Sequence, residues 1–400
     1  MHPDDTDHAE LGGNLVLTGA TGFVGGALLA EILTTTTARV TCLVRAGDLW
    51  EARDRVVSAL RPWLGVELAE ESLTRVLALP ADITLPRLGL SEGTWYDLAE
   101  SSAHIVHCAA TVRFDEPLEV ARAVNVGGAR RIVELARAAV GLGALKRAVM
   151  VSTTFVAGTT PRAFAEHELD IGQAFRNTYE RSKFEAEQEV QAAGAGLPIC
   201  VVRPSIVVGH SDTGQTTAFN VLYVPLRLLL RRPGSATLPV RADATLDTVP
   251  VDWVAQVILA VLTSGQDGMA YAAAAGTDAV TAAELAGLAA KVFDIDPPCL
   301  LPAAASDEVL LQAAMAWRDR LSARESAALG VYAPYMVRAA RFDSWRAERL
   351  MLRHGRRQLD SRAVLTRCLE YARATEFGKL RALAPARRRR AAVATQSAVA

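Results

Sequence analysis

The chain has 400 residues, of which 50% are hydrophobic and 22% charged. That composition suits a packed globule, either one large α/β domain or a nucleotide domain with a second lobe, and excludes a hormone or a disulfide miniprotein. Forty-three basic against 44 acidic residues leave a net charge of −1, so no overall field recruits nucleic acid or an anionic membrane.

The N-terminal MHPDDTDHAE is acidic and polar, unlike a signal peptide, and residues 1–12 read as a disordered tail. Short Val/Leu/Ile-rich runs follow at Asn14–Thr18, Arg39–Val44, 105–108, 148–151 and 199–202, as expected of strands buried on both faces of a parallel sheet. Helical periodicity fills residues 25–33, 118–140 and 180–191 between them, which predicts a doubly wound Rossmann-type α/β fold. Residues 13–210 are assigned to that dinucleotide-binding domain, with 245–265 returning to it. Residues 211–244 and 266–382 are assigned to a smaller, mostly helical substrate lobe, and the basic stretch 383–400 to a second disordered tail. Apolar runs stop near about ten residues, short of the ~20 that span a bilayer. Five scattered cysteines (Cys42, Cys108, Cys200, Cys299 and Cys368) lack CxxC spacing and read as reduced thiols in a soluble cytoplasmic protein, with no metal site.

The first strand runs into Thr18-Gly19-Ala20-Thr21-Gly22-Phe23-Val24-Gly25. Glycines at this spacing, between a strand and a helix, allow a tight turn and let backbone N–H groups approach a pyrophosphate. The second strand ends in Arg45, where an NAD-selective site would place a carboxylate, so NADPH is favoured; Arg53 and Arg55 are the alternatives for its 2′-phosphate. Asp82-Ile83, after the third strand, is placed beside the adenine, although turn capping explains Asp82 almost as well. The small Ala109 and Ala110, after His107-Cys108, let backbone lie against the cofactor, while His107 itself reads as a packed strand residue.

Tyr179 and Lys183 stand four apart on one helical face. With seven tyrosines and only four lysines, a chance YxxxK pair is expected about 0.07 times. An ammonium beside a phenol is expected to lower the phenol pKa and suit it to protonate a carbonyl oxygen as hydride arrives. Thr153, in Val151-Ser152-Thr153-Thr154 at the end of the fifth strand, is chosen to fix that oxygen. In residues 219–232 an apolar stretch ends in Arg227, Arg231 and Arg232, read either as a core helix with a basic last turn or as an acyl-pocket wall with a positive mouth for a phosphate.

Together with Asn125 in Asn125-Val126-Gly127-Gly128, these motifs resemble an extended short-chain dehydrogenase/reductase. TGATGFVGGALLAEIL, CLVRAGD, HCAATVRFDEPL, VSTTFVAG, VVRPSIVVG and VPVDWVAQVI, in that order, are similar to the fatty acyl-CoA reductase and thioester-reductase, or male-sterility-like, branch over residues 13–265. Beyond Gly265 the similarity fades to features such as Phe342-Asp343. The resemblance implies NADPH, with contacts from Asn125, Lys183, Pro204, Ser205 and Ile206. It also implies a Thr153/Tyr179/Lys183 catalytic set reducing an acyl thioester, carried on CoA or an acyl carrier protein, to the aldehyde, or on to the alcohol. A ketone reductase or other chemistry of the same superfamily keeps the same site. A non-catalytic NADPH-binding protein is a third reading, weakened by the presence of both Tyr179 and Lys183.

Overall fold

The computed structural model describes residues 11–160, 162–219, 221–230, 237–323, 325–326, 330, 335, 341–356 and 360–380. Seven parallel strands form the central sheet: β1 (Asn14–Thr18), β2 (Arg39–Val44), β3 (Val76–Pro80), β4 (Ser102–His107), β5 (Arg147–Val151), β6 (Ile199–Pro204) and an edge strand, Ala270–Ala273. Their spatial order is edge strand, β6, β5, β4, β1, β2, β3. The order reverses between β1 and β4, which opens a crevice at the carboxyl ends of those two strands.

Alternation along each strand divides the core into two layers. Leu15 and Leu17 face α1 (Phe23–Thr35), α2 (Leu49–Leu64) and the short α3 (Val66–Glu71), whereas Val16 faces α4 (Glu92–Ser101), α5 (Leu118–Gly141) and α6 (Thr178–Ala193). The chain then leaves the sheet for α7 (Tyr223–Leu230) and returns through α8 (Val251–Ser264), which packs on the α1 side. The first helix carries no charge before Glu31 and is buried along most of its length, as a helix wedged between sheet and α8 must be. Asp48, Asn177 and Thr281 cap α2, α6 and α9 (Ala282–Phe293) by accepting backbone N–H bonds at the third helical position.

The second lobe holds α7, α9, α10 (Asp307–Arg318) and the helix Ser361–Ala374, around small apolar clusters of its own. Two boundaries differ from the sequence expectation. Residues 270–273, assigned to that lobe, complete the central sheet because their backbone pairs in parallel with β6. Leu11, assigned to the tail, is buried against the α1 layer. Residues 1–10 and 383–400 lie outside the described residues, as do Arg231 and Arg232. Arg227 does not form a positive mouth: its guanidinium lies 5.0 Å from the Phe377 ring centroid and bonds the Phe377 carbonyl, so it serves the packing of the lobe.

The C-terminal segment is fastened back onto the sheet domain. Phe164 bridges to Phe342, and the buried Glu166 carboxylate accepts N–H bonds from Ala272 in the edge strand and from Arg346 and Ala347 in the helix Trp345–Arg353. Burial holds the Glu166 carboxyl up to about 7 despite those donors. Among the described residues no helix is long and apolar enough to cross a membrane.

Candidate active site

The carboxyl ends of β1, β4, β5 and β6 bring four loops to one edge of the sheet. Gly19, with φ +74°, lies so close to the Cys108-Ala109 backbone that a Cβ would meet the Ala109 nitrogen at 2.6 Å. At Gly25 a Cβ would stand 2.1 Å from the Gly19 carbonyl oxygen, so the first turn of α1 can seat against the loop only without a side chain. Gly22 is the N-cap of α1 and supplies no side-chain bond to the helix amides. Thr21 and Gly22 are exposed, with Phe23 and Val24 half-buried behind them. A helix start without a capping side chain, behind a loop that glycine alone can form, fits a dinucleotide pyrophosphate.

Thr18 Oγ1 accepts from the Ala109 N–H at 3.2 Å and lies 2.7 Å from His107 Nδ1, tying the ends of β1 and β4 together. Burial holds the His107 imidazole down to about 3, so it is a neutral packing group. Arg45 is exposed at the end of β2, and Arg55 donates to its carbonyl at 2.5 Å, which sets two guanidinium-bearing residues side by side. Arg53 turns instead toward Glu70 at 3.5 Å. Asp82 accepts from both the N–H and the hydroxyl of Thr84, which hold its carboxyl below its usual range with help from Arg45. Ile83 packs where a Cβ on Gly128 of α5 would come within 2.9 Å. Asn125 is spent inside the protein: its side-chain oxygen accepts from the Thr111 N–H, and its amide donates to the Thr111 carbonyl and to Ser182 in α6. It therefore fixes the strand-4 loop, next to Ala109 and Ala110, against the helix that carries Tyr179.

Just past β5, Thr153 Oγ1 donates to the Pro204 carbonyl at 3.3 Å and accepts from the Phe155 N–H, and the Tyr179 hydroxyl lies next to it. Beside Pro204, the Ser205 N–H donates to Ala273 and the Ile206 N–H to Asp247, closing the far wall. Lys183 Nζ donates to the Val151 carbonyl at 2.8 Å. The electrostatics reverse the sequence expectation for the phenol. Burial pushes Tyr179 up to about 12, with Glu180 adding to the rise, and only the neighbouring Thr153 hydroxyl acts in the other direction. Lys183 contributes no lowering to the phenol, and burial holds its own ammonium down to about 8.

Two buried ion pairs fix this geometry. Arg203, on β6, donates to Glu187 of α6 and to the carbonyls of Glu166 and Glu168, while Ser152 donates to the other Glu187 oxygen at 2.7 Å. Glu180 is paired with Arg176 at 3.1 Å beneath the first turn of α6. Sequence reasoning missed both pairs. The signal for the first was present: Glu187 continues the i, i+4 spacing from Tyr179 and Lys183, and Arg203 is a lone charge in an apolar strand.

The family described as male sterility protein, an NAD-binding domain, matches residues 17–258, more than half of the chain. The chain belongs to this family. Among similar proteins, isonitrile lipopeptide synthase of Streptomyces coeruleorubidus is 35% identical over 246 residues, which are 61% of this chain and 16% of that protein. Fatty acyl-CoA reductase wat of Drosophila melanogaster is 30% identical over 61% of this chain and 53% of its own length. The chain thus spans from about a sixth to about half of these relatives. A solved structure, the terminal R domain from the myxalamid PKS-NRPS biosynthetic pathway, superposes with a TM-score of 0.77 at 28% identity, covering 92% of each chain. The dTDP-glucose 4,6-dehydratase of Streptomyces venezuelae, at 20% identity and a TM-score of 0.60, shares the fold. By family and by these similarities the chain is an oxidoreductase with a nicotinamide-cofactor fold.

Proposed function

We propose that the protein is an NADPH-dependent reductase of acyl thioesters, carried on CoA or on an acyl carrier protein, that releases an aldehyde and a thiol. The observation that carries this reading is the neighbouring Thr153 and Tyr179 hydroxyls at the carboxyl edge of the sheet, with Lys183 behind them and the pyrophosphate-fitting loop across the crevice. The similarity to the terminal R domain and to a fatty acyl-CoA reductase supports a thioester among carbonyl substrates.

When bound along the β1–β4 crevice, NADPH would supply the hydride. Tyr179 donates to the thioester carbonyl oxygen, and Thr153 joins it by turning its single proton away from the Pro204 carbonyl, so negative charge developing there meets two hydroxyl donors. A phenol held up at about 12 stays protonated at neutral pH, which suits it to give its proton to the tetrahedral oxygen. Collapse of the resulting hemithioacetal returns its hydroxyl proton to the Tyr179 phenolate, breaks the C–S bond and expels the thiolate, which takes a proton from solvent. A second hydride transfer to the aldehyde gives the alcohol. Lys183 adds positive charge behind the phenol and a donor for the ribose of the cofactor. Thr18, Gly19, Thr21, Gly22, Phe23, Val24 and Gly25 are assigned to the pyrophosphate, Arg45 and Arg55 to the 2′-phosphate, and Asp82 and Ile83 to the adenine. Ala109, Ala110, Pro204, Ser205 and Ile206 are assigned to the nicotinamide half, with Asn125 positioning the strand-4 loop.

The test is to follow NADPH consumption with acyl-CoA, acyl-carrier and ketone substrates and to identify products by mass spectrometry. Aldehyde and free thiol appearing together are expected. Turnover of ketones with every thioester left intact would overturn the reading.

Two further results are expected. A charge-assisted contact contributes about 1.5–3 kcal/mol, so Arg45→Ala should weaken NADPH by roughly 10- to 100-fold and barely change NADH. Equal losses for both cofactors, in direct binding titrations, would remove Arg45 from the 2′-phosphate site. The second concerns pH. Because the folded Lys183 loses its proton near 8 rather than near 10.5, the ammonium is present below about pH 8 and kcat/KM should fall as pH rises through that value. Lys183→Arg keeps its charge throughout and should erase this limb, whatever its absolute rate. An unchanged profile in the variant would assign the limb to another group.

A further inference from the structure

Four half-buried aromatic rings close a circuit around the two reacting hydroxyls. The Tyr179 ring lies 5.4 Å from Phe114, Phe114 lies 5.3 Å from Tyr335, and Tyr335 meets Phe155 edge-on at 4.9 Å. Phe155 returns the circuit to its start, because its N–H is bonded to Thr153 Oγ1 and the Tyr179 hydroxyl lies next to that oxygen. The circuit joins β4, β5, α6 and the C-terminal lobe, so it exists only when Tyr335 is seated. Its polar groups are committed at the periphery. The Tyr335 hydroxyl accepts from Asn177, the N-cap of α6, and the Arg176 guanidinium under the Tyr335 ring is neutralised by Glu180. A carbonyl oxygen held by Thr153 and Tyr179 therefore presents its acyl carbons to ring faces and edges, and among the described residues the charges beside those rings, Arg176 and Glu180, are paired with each other.

We propose that Phe114, Phe155 and Tyr335 determine acyl specificity: the site takes thioesters with a flat aromatic group next to the reacting carbon and rejects acyl groups bearing a charge there. This rests on the thioester reading above. A ring in the circuit gains edge-to-face and offset contacts that a saturated ring of the same size does not, and each such pair is worth roughly a 3- to 10-fold gain in affinity. A carboxylate in the same place loses its hydration for no partner, which costs on the order of 100-fold. Tyr335 additionally positions the catalytic helix through Asn177, so Tyr335→Phe removes the hydroxyl bond while keeping the ring.

The probes are N-acetylcysteamine thioesters of phenylacetate, cyclohexylacetate and succinate. Their dissociation constants are measured by calorimetry with the full chain saturated in NADP⁺, where no turnover occurs, and their kcat/KM values with NADPH. Phenylacetyl is expected to bind roughly 3- to 10-fold more tightly than cyclohexylacetyl, and succinyl on the order of 100-fold more weakly. Tyr335→Leu and Phe155→Leu should each bring the phenylacetyl-to-cyclohexylacetyl ratio toward one, and Tyr335→Phe should preserve the ratio while lowering kcat. Equal binding of the two rings by the unmodified protein, or succinyl binding as tightly as phenylacetyl, would overturn the proposal without any variant. Selective binding without turnover of any thioester supports the aromatic wall and overturns the reductase reading. Turnover without selectivity does the reverse.

Discussion

Tyr179→Phe is expected to lower kcat by about 10²–10⁴-fold, the usual contribution of a positioned general acid, while NADPH affinity changes by no more than a few-fold. The substitution deletes the hydroxyl next to Thr153 and leaves the glycine loop, more than a hundred residues earlier in the chain, untouched. The ring stays, with its packing against Phe114, so the loss is chemical rather than structural. Single-turnover rates and cofactor titrations separate the two quantities. Near-normal turnover would mean that the proton reaches the carbonyl oxygen from elsewhere, with Thr153 the first group to examine. The direction of the Tyr179 shift adds a condition. With the phenol held up at about 12, its ionisation should not shape the rate profile near neutrality, and any basic limb there belongs to another group, Lys183 first.

Much of this site is legible in sequence because its parts are local. A glycine loop is a strand, a turn and a helix start within a dozen residues, and Gly19 and Gly25 can be recognised before it is known that Ala109 and the Gly19 carbonyl would meet their Cβ atoms. The YxxxK pair is legible for the same reason, since helix geometry alone places both side chains on one face. What is not legible depends on distant contacts. Neither the rise of the Tyr179 pKa nor the fall of the Lys183 pKa follows from their spacing, because both come from burial under segments contributed elsewhere in the chain. Asn125 reads as a cofactor residue in sequence, yet its three hydrogen bonds all go to Thr111 and Ser182. Residues 270–273 are too short and too rich in alanine to read as a strand until β6 is present to pair with them. Tyr335 has no local signal at all, since its meaning depends on rings more than 150 residues away.

Arg203→Met should destabilise the protein by about 3–5 kcal/mol, the range for breaking a buried ion pair from one side. Arg203 and Glu187 are each only 2% exposed, so the carboxylate left behind cannot recover its partner from water. The carbonyls of Glu166 and Glu168 lose their donor at the same time. Replacing both charges, as Arg203→Met with Glu187→Met, removes the stranded anion and should recover a substantial part of the loss, because an apolar pair of similar volume carries no desolvation cost. Urea denaturation of the two single variants and the double gives the coupling directly; additive losses would show that the pair acts as two independent groups. The same cycle reaches the chemistry. The Glu187 carboxylate opposes the downward shift of Lys183, so Glu187→Gln should move the basic limb of kcat/KM to lower pH, leaving less ammonium at neutrality. A variant that loses stability but keeps the limb where it was would confine the pair to holding β6 against α6. A limb that moves would make it part of what keeps Lys183 charged at the pH where the enzyme works.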